Sequence, residues 1–159
     1  MTAERLEALG KPLERAEAAD LPALVALQQQ AYAKNRSLLG VEPLPLLADY
    51  AHLFATQEIW LARGDAGLDG AIMLELRDAD LLLWSIATAP WTQGHGLGRA
   101  LLAAVDARAR QLGRDTVRLY TGTPLTHLVD WYGRNGYVVE RVEQLSDRSI
   151  THMVKRLVG

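Results

Sequence analysis

Apolar positions along the chain follow first a helical period, then a strand period, then alternate between the two. Leu24, Leu27, Ala31 and Tyr32 recur at helical spacing. Asp20 stands before them as an N-cap, with Pro22 in the first turn, so a helix is predicted over Leu21 to Ala33. A short strand over Leu13 to Ala18 precedes it. The run KNRSLLGVEPLP reads as a connecting loop, and Pro45 to Ala55 as a second helix with Leu46, Leu47, Tyr50 and Leu53 or Phe54 inward.

The texture then changes. Glu58 to Arg63, Ala71 to Arg77 and Asp80 to Thr88 are three short strands joined by turn-rich links, the pattern of an antiparallel meander. Pro90 ends the third. Gly98 to Leu112 places Leu101, Leu102, Val105, Ala109 and Leu112 on one helical face, with Gly113 as its stop. Thr116 to Tyr120 is a β-branched strand, and Pro124 to Asn135 a helix closed by Gly136. Tyr137 to Val142 and Ile150 to Arg156 are the last two strands. The order is βααβββαβαββ, a mixed α/β (α+β) chain expected to form a seven-stranded mixed sheet. A helix crosses over between the strands ending near Thr88 and Tyr120, so those two strands are predicted to run parallel.

Composition narrows the chemistry. The 159 residues fit a single domain spanning 1–159, with 49% hydrophobic and 23% charged residues, a globular balance. A net charge of -2 and a pI of about 6.1 give no reason to expect nucleic acid as a partner. The absence of cysteine excludes a disulfide, a thiolate metal site and a cysteine nucleophile. His52, His95, His127 and His152 lack ligand spacing, so no metal is expected. MTAERLEALG carries charge where a secretory leader needs an apolar run, and no stretch is long and apolar enough to span a membrane. No membrane partner and a cytoplasmic setting are the expectations.

One stretch invites a ligand. WTQGHGLGRALL places Gly94, Gly96 and Gly98 directly before a helix, where the first backbone N–H groups have no intrahelical acceptor. Those donors and the helix dipole make an anion site, and glycines let phosphate oxygens approach the backbone. A nucleoside triphosphatase loop would continue Gly-Lys-Ser/Thr, whereas Arg99 and Ala100 follow here. A dinucleotide fingerprint would read G-x-G-x-x-G and open a βαβ unit, which the preceding meander is not.

The spacing Gln93-Gly94-His95-Gly96-Leu97-Gly98 does fit another pattern. IATAPWTQGHGLGRALL, together with WYGRNGY near the end, resembles the GNAT superfamily of N-acetyltransferases, and the likeness extends over nearly the whole chain. It implies a mostly antiparallel, mixed seven-stranded sheet flanked by four helices, and acetyl-CoA as cosubstrate. Gln93, Gly94, His95, Gly96, Leu97, Gly98 and the Arg99 amide are implied to wrap the pyrophosphate of coenzyme A. The backbone of Ile86, Ala87 and Thr88 is implied to pair with pantetheine and polarise the thioester carbonyl. Tyr132 matches the tyrosine that protonates the leaving thiolate, a task suited to a phenol. Leu125 and Leu128 stand where relatives often carry Asn and Ala.

The acceptor is implied to be a small-molecule or peptide amine, met through the segment after the first helix. Tyr32, Asn35, Arg36 and Phe54 are the candidates there. Glu75 is the candidate base, direct or through water, because alternation sets it opposite Ile72, Leu74 and Leu76. Ser85 is a lesser hydrogen-bonding alternative. Pairing of two copies as a homodimer is left open. The competing reading is a non-catalytic acyl-CoA-binding sensor with the same fold.

Overall fold

A computed structural model describes residues 5–43 and 49–158. Two strands of two residues, β1 (Glu7–Ala8) and β2 (Lys11–Pro12), form a small hairpin, and β3 (Glu14–Arg15) follows. The first helix is α1 (Leu21–Leu39), then come α2 (Tyr50–Thr56), β4 (Glu58–Gly64), β5 (Gly67–Leu76), β6 (Leu81–Thr88) and α3 (Leu97–Gln111). β7 (Thr116–Gly122), α4 (Thr126–Arg134), β8 (Val138–Gln144) and β9 (Ser149–Arg156) complete the chain. Seven strands form one sheet in the order β3-β4-β5-β6-β7-β9-β8. Every neighbouring pair is antiparallel except β6 and β7, which run parallel with Leu81 beside Val117 and Leu82 beside Arg118. The predicted crossover is therefore present.

The sheet divides the core in two. Ile72, Leu74, Leu81 and Leu83 pack with Leu101, Leu102 and Val105 of α3. Ala71, Met73 and Ala87 point the other way, toward Leu24 and Leu27 of α1 and Leu53 of α2. Each apolar side chain buried so fully is worth about 1.5–3 kcal/mol. Arg108 joins α3 to the sheet, its Nε and Nη2 each donating at 2.8 Å to the carboxylate of Glu58 while the guanidinium lies over Trp60.

Several boundaries differ from expectation, for physical reasons. The helix predicted to stop at Ala33 continues to Leu39, so 34–39 is helix and not loop. Its last turns carry Asn35, Arg36 and Ser37, which weaken the apolar rhythm without breaking the backbone. Gly40, at φ 71°, closes it by donating to the Arg36 carbonyl at 3.0 Å. Asp20 precedes α1 but does not cap it; its carboxylate accepts from the Glu17 amide at 2.8 Å and from Arg63 at 2.7 Å. The true side-chain cap is Asp49 on α2, which accepts from the amides of Ala51 and His52. Of the second predicted helix, residues 45–48 lie outside the described residues. The strand expected over Leu13 to Ala18 shrinks to Glu14 and Arg15, and β5 starts four residues early, at Gly67.

The β5–β6 turn is tied by a buried carboxylate. Asp80, with a side chain 4% exposed, accepts from Arg77 Nε and Nη2 at 2.6 and 2.7 Å and from Arg118 Nη1 at 2.9 Å. Hydrogen bonding to Arg77, then to Arg118, holds its pKa below the ordinary value. Replacing Asp80 with alanine removes the carboxylate that Arg77 and Arg118 share, while Arg118 keeps Glu140, and should cost about 1–3 kcal/mol at neutral pH. A carboxylate with a depressed folded pKa stabilises above its unfolded value and loses that contribution as pH falls, so the gap between parent and variant should close below about pH 4. Urea denaturation across that range checks it; a gap independent of pH would contradict the assignment.

Candidate active site

The site begins where two strands part. β6 and β7 are paired only at Leu81–Val117 and Leu82–Arg118. Beyond that, β6 stays with β5 and β7 with β9, leaving a gap between facing edges. A bulge starts the divergence: Met73 pairs with Ser85 and Leu74 with Leu83, so Trp84 is an extra residue. Bulges bend a strand and put consecutive side chains on one face. Trp84 accordingly packs on the α1 side of the sheet, and Ser85 also points there, accepting from Gln28 Nε2 at 3.1 Å.

A cavity of about 950 Å³ occupies the gap and extends along α1, α3 and α4. Tyr32 on α1 reaches across it. Its hydroxyl is 3.0 Å from Ser85 Oγ and donates to the Ile86 carbonyl at 3.2 Å. In a strand a residue's N–H lies on the same edge as its C=O, so the Ile86 amide also faces the gap.

One end of the cavity is the glycine loop. Gly94 and Gly96 adopt φ 82° and 80°, the left-handed region, and Gly96 is the N-cap of α3. Among the described residues, no backbone carbonyl accepts from the amides of Gly94, Gly96, Leu97, Gly98 or Arg99. Five donors thus converge at a helix N-terminus, a geometry made for an anion. Gly98 also serves packing. A Cβ there would come within 3.0 Å of the Trp131 ring, so this glycine lets α4 lie close against α3.

Tyr132 stands in the cavity wall on α4. It is 7% exposed, its ring set against Trp131 and, edge-on, against Tyr137. No described group hydrogen-bonds its hydroxyl. Burial, reinforced by the neighbouring phenols Tyr32 and Tyr137, pushes its pKa well above the ordinary tyrosine value. A phenol so placed is protonated at neutral pH.

Of the residues singled out from the sequence, Ile86, Ala87, Thr88, Gln93, Gly94, Gly96, Leu97, Gly98, Arg99, Tyr132, Tyr32 and Asn35 all line this cavity. Four do not. His95 lines a smaller cleft with Trp91. Arg36 is exposed and pairs with Glu42 at 2.9 Å. Phe54 packs into the core beneath α1. Glu75 sits beside Leu82, outside the cavity wall, though its charge is felt at Tyr120. Conversely, Trp84, Tyr120, Arg134 and Arg148 line the cavity without having been singled out. Arg134 lay within the WYGRNGY motif, whereas Arg148 lies in the β8–β9 turn and carried no pattern.

The acetyltransferase (GNAT) domain profile matches residues 55–139, and the chain belongs to that family of acetyltransferases. A Bacillus subtilis acetyltransferase in complex with CoA superposes with a TM-score of 0.71 at 17% identity, over 92% of this chain and 98% of that one. The PaiA N-acetyltransferase of Thermoplasma acidophilum, in complex with coenzyme A, gives 0.71 at 17%, over 91% and 97%. Nourseothricin acetyltransferase gives 0.58 at 24%, over 64% of this chain and 66% of that one. At these identities the likeness is one of fold. The sequence matches no curated protein.

Burial raises the pKa of each of the five tyrosines, Tyr32, Tyr50, Tyr120, Tyr132 and Tyr137. The absorbance of the folded protein should therefore show no phenolate step near the ordinary value of about 10, with all appearing on denaturation. A step near that value that vanishes in Tyr132→Phe would overturn the placement of Tyr132.

Proposed function

We propose that the chain, as one domain over residues 1–159, is an acetyl-CoA-dependent N-acetyltransferase acting on a primary amine by direct attack. The observation that carries this is the unpartnered Tyr132 hydroxyl in the wall of a strand gap whose far end is an amide-rich loop. The fit to the cosubstrate rests on that loop, with Arg99 and Arg134 beside it. Acetyl-CoA supplies a thioester carbonyl and a thiol leaving group.

The residues then divide the work. The free amides of Gly94, Gly96, Leu97, Gly98 and Arg99 hold the pyrophosphate, with Arg99 and Arg134 adding charge. The edge of β6 around Ile86 orients the extended arm and presents an N–H toward the carbonyl oxygen, a fixed donor of the kind that stabilises developing negative charge. The amine nitrogen bonds to the carbonyl carbon as the carbon–sulfur bond breaks, and Tyr132 gives its proton to the departing sulfur. The amine proton leaves to water, with Glu75 assigned as the water-mediated acceptor through its proximity to Tyr120. The lack of cysteine removes the thiol that a covalent acyl-enzyme route would most readily use.

Coenzyme A should raise the melting temperature of the parent, since it binds only the folded state. Gly96→Val should abolish that shift: a β-branched residue at φ 80° strains the loop and puts carbon where the ligand approaches. A shift of unchanged size in the variant would rule the loop out.

Tyr132→Phe separates a working transferase from a sensor. The ring packing survives, so coenzyme A should bind almost as before, while turnover of acetyl-CoA with an accepted amine falls by about a hundredfold to ten-thousandfold, mainly in kcat. Thiol release measures it, and full activity in the variant would take Tyr132 out of the mechanism.

A further inference from the structure

The end of the cavity away from the glycine loop has a charge pattern of its own. Asn35 and Leu39 of α1, Tyr120 and Gly122 of β7, and Arg148 line it. Among the described residues, no aspartate or glutamate lines the cavity at either end.

Two side chains here lack full satisfaction. Arg148 is 7% exposed. Its Nη1 donates to the Glu42 carbonyl at 2.7 Å, and its Nε and Nη2 donate to Asp147 at 3.1 and 3.0 Å. A guanidinium has five N–H donors, so two remain without an acceptor among the described residues. Asp147 is 56% exposed, and its charge is screened by water. Asn35 is 6% exposed, lines the same cavity and has no hydrogen-bond partner among the described residues. The Asn35 amide therefore opens on the cavity, where its donors and its acceptor are available to a ligand.

We propose that the acceptor is an amine that also bears a carboxylate, as an amino acid does. Arg148 and Asn35 take the carboxylate, and the amine is left facing the gap between β6 and β7. This rests on the acetyl-transfer reading above. A polyamine or a lysine-rich peptide would bring extra ammonium groups to a cavity lined by no described carboxylate, where Asp147 is already engaged by Arg148, an arrangement that leaves charge unpaired.

The test uses the full chain and matched acceptors. Free amino acids, their carboxamides, simple alkylamines and spermidine are each followed by thiol release with acetyl-CoA. Binding of each to the coenzyme A-loaded protein is followed by calorimetry. Free acids should exceed their carboxamides by at least about tenfold in kcat/KM, and spermidine by more. Arg148→Gln should raise KM for the acid by about a hundredfold with a much smaller change in kcat, and Arg148→Lys should fall between. Asn35→Ala should raise KM by about tenfold. In all three variants the coenzyme A melting shift should match the parent, which shows that each is folded. Carboxamides or spermidine turned over as well as the acids would overturn the acceptor class and leave acetyl transfer standing. Turnover of no amine at all, with coenzyme A still bound, would overturn acetyl transfer and this proposal with it.

Discussion

The site exists because β6 and β7 are allowed to pair for two residues and then forced apart. Parallel strands in a sheet normally stay in register through their length, since an unpaired edge leaves buried N–H and C=O groups unsatisfied. Two features hold the divergence open here. Asp80 clamps the paired end between Arg77 and Arg118, and the bulge at Trp84 bends β6 away immediately after it. The open edge is then partly satisfied by Tyr32, whose hydroxyl occupies the Ile86 carbonyl. α1 thus braces the strand edge as well as covering the sheet. The chain Gln28, Ser85, Tyr32, Ile86 is continuous, and each link is at 3.0 to 3.2 Å.

What the sequence revealed and what it hid follow from the range of the interactions involved. Helical and strand periods are local, and they located the seven strands of the main sheet and the parallel pair. The glycine loop was legible because its conformation is demanded by its own residues, two of which sit in the left-handed region. Gly98 shows the limit of that reasoning, because the group filling its missing side chain is Trp131, thirty-three positions later. Period alone also carries no sign of the bulge at Trp84. Alternation assigns each strand residue a face, and one extra residue reverses every assignment beyond it. The third long-range feature, Arg148, belongs to a hairpin turn that topology alone brings against the end of α1. Arg36 lies outside the cavity wall because the helix continued, carrying it to the solvent face beside Glu42.

The cavity's electrostatics are one-sided. Arginines 99, 134 and 148 line it with no described carboxylate among the walls, and its phenols are held protonated by burial. Such a pocket is neutral or positive at every pH at which the protein is folded and useful. A phosphate-bearing ligand restores balance at the loop end, and the two charged ends can be tuned separately because the uncharged β6 edge lies between them.

The division between backbone and side chain at the two ends has an evolutionary corollary. The loop end offers main-chain amides, which almost any sequence retains so long as Gly94 and Gly96 keep their turn. The opposite end is built from the close of one helix and the turn of one hairpin, the parts of a fold that tolerate insertion and exchange most readily. Drift in those two connections would redirect the enzyme to a new partner without disturbing how it handles its donor. A scaffold arranged this way can diversify its chemistry of recognition while its chemistry of transfer stays fixed.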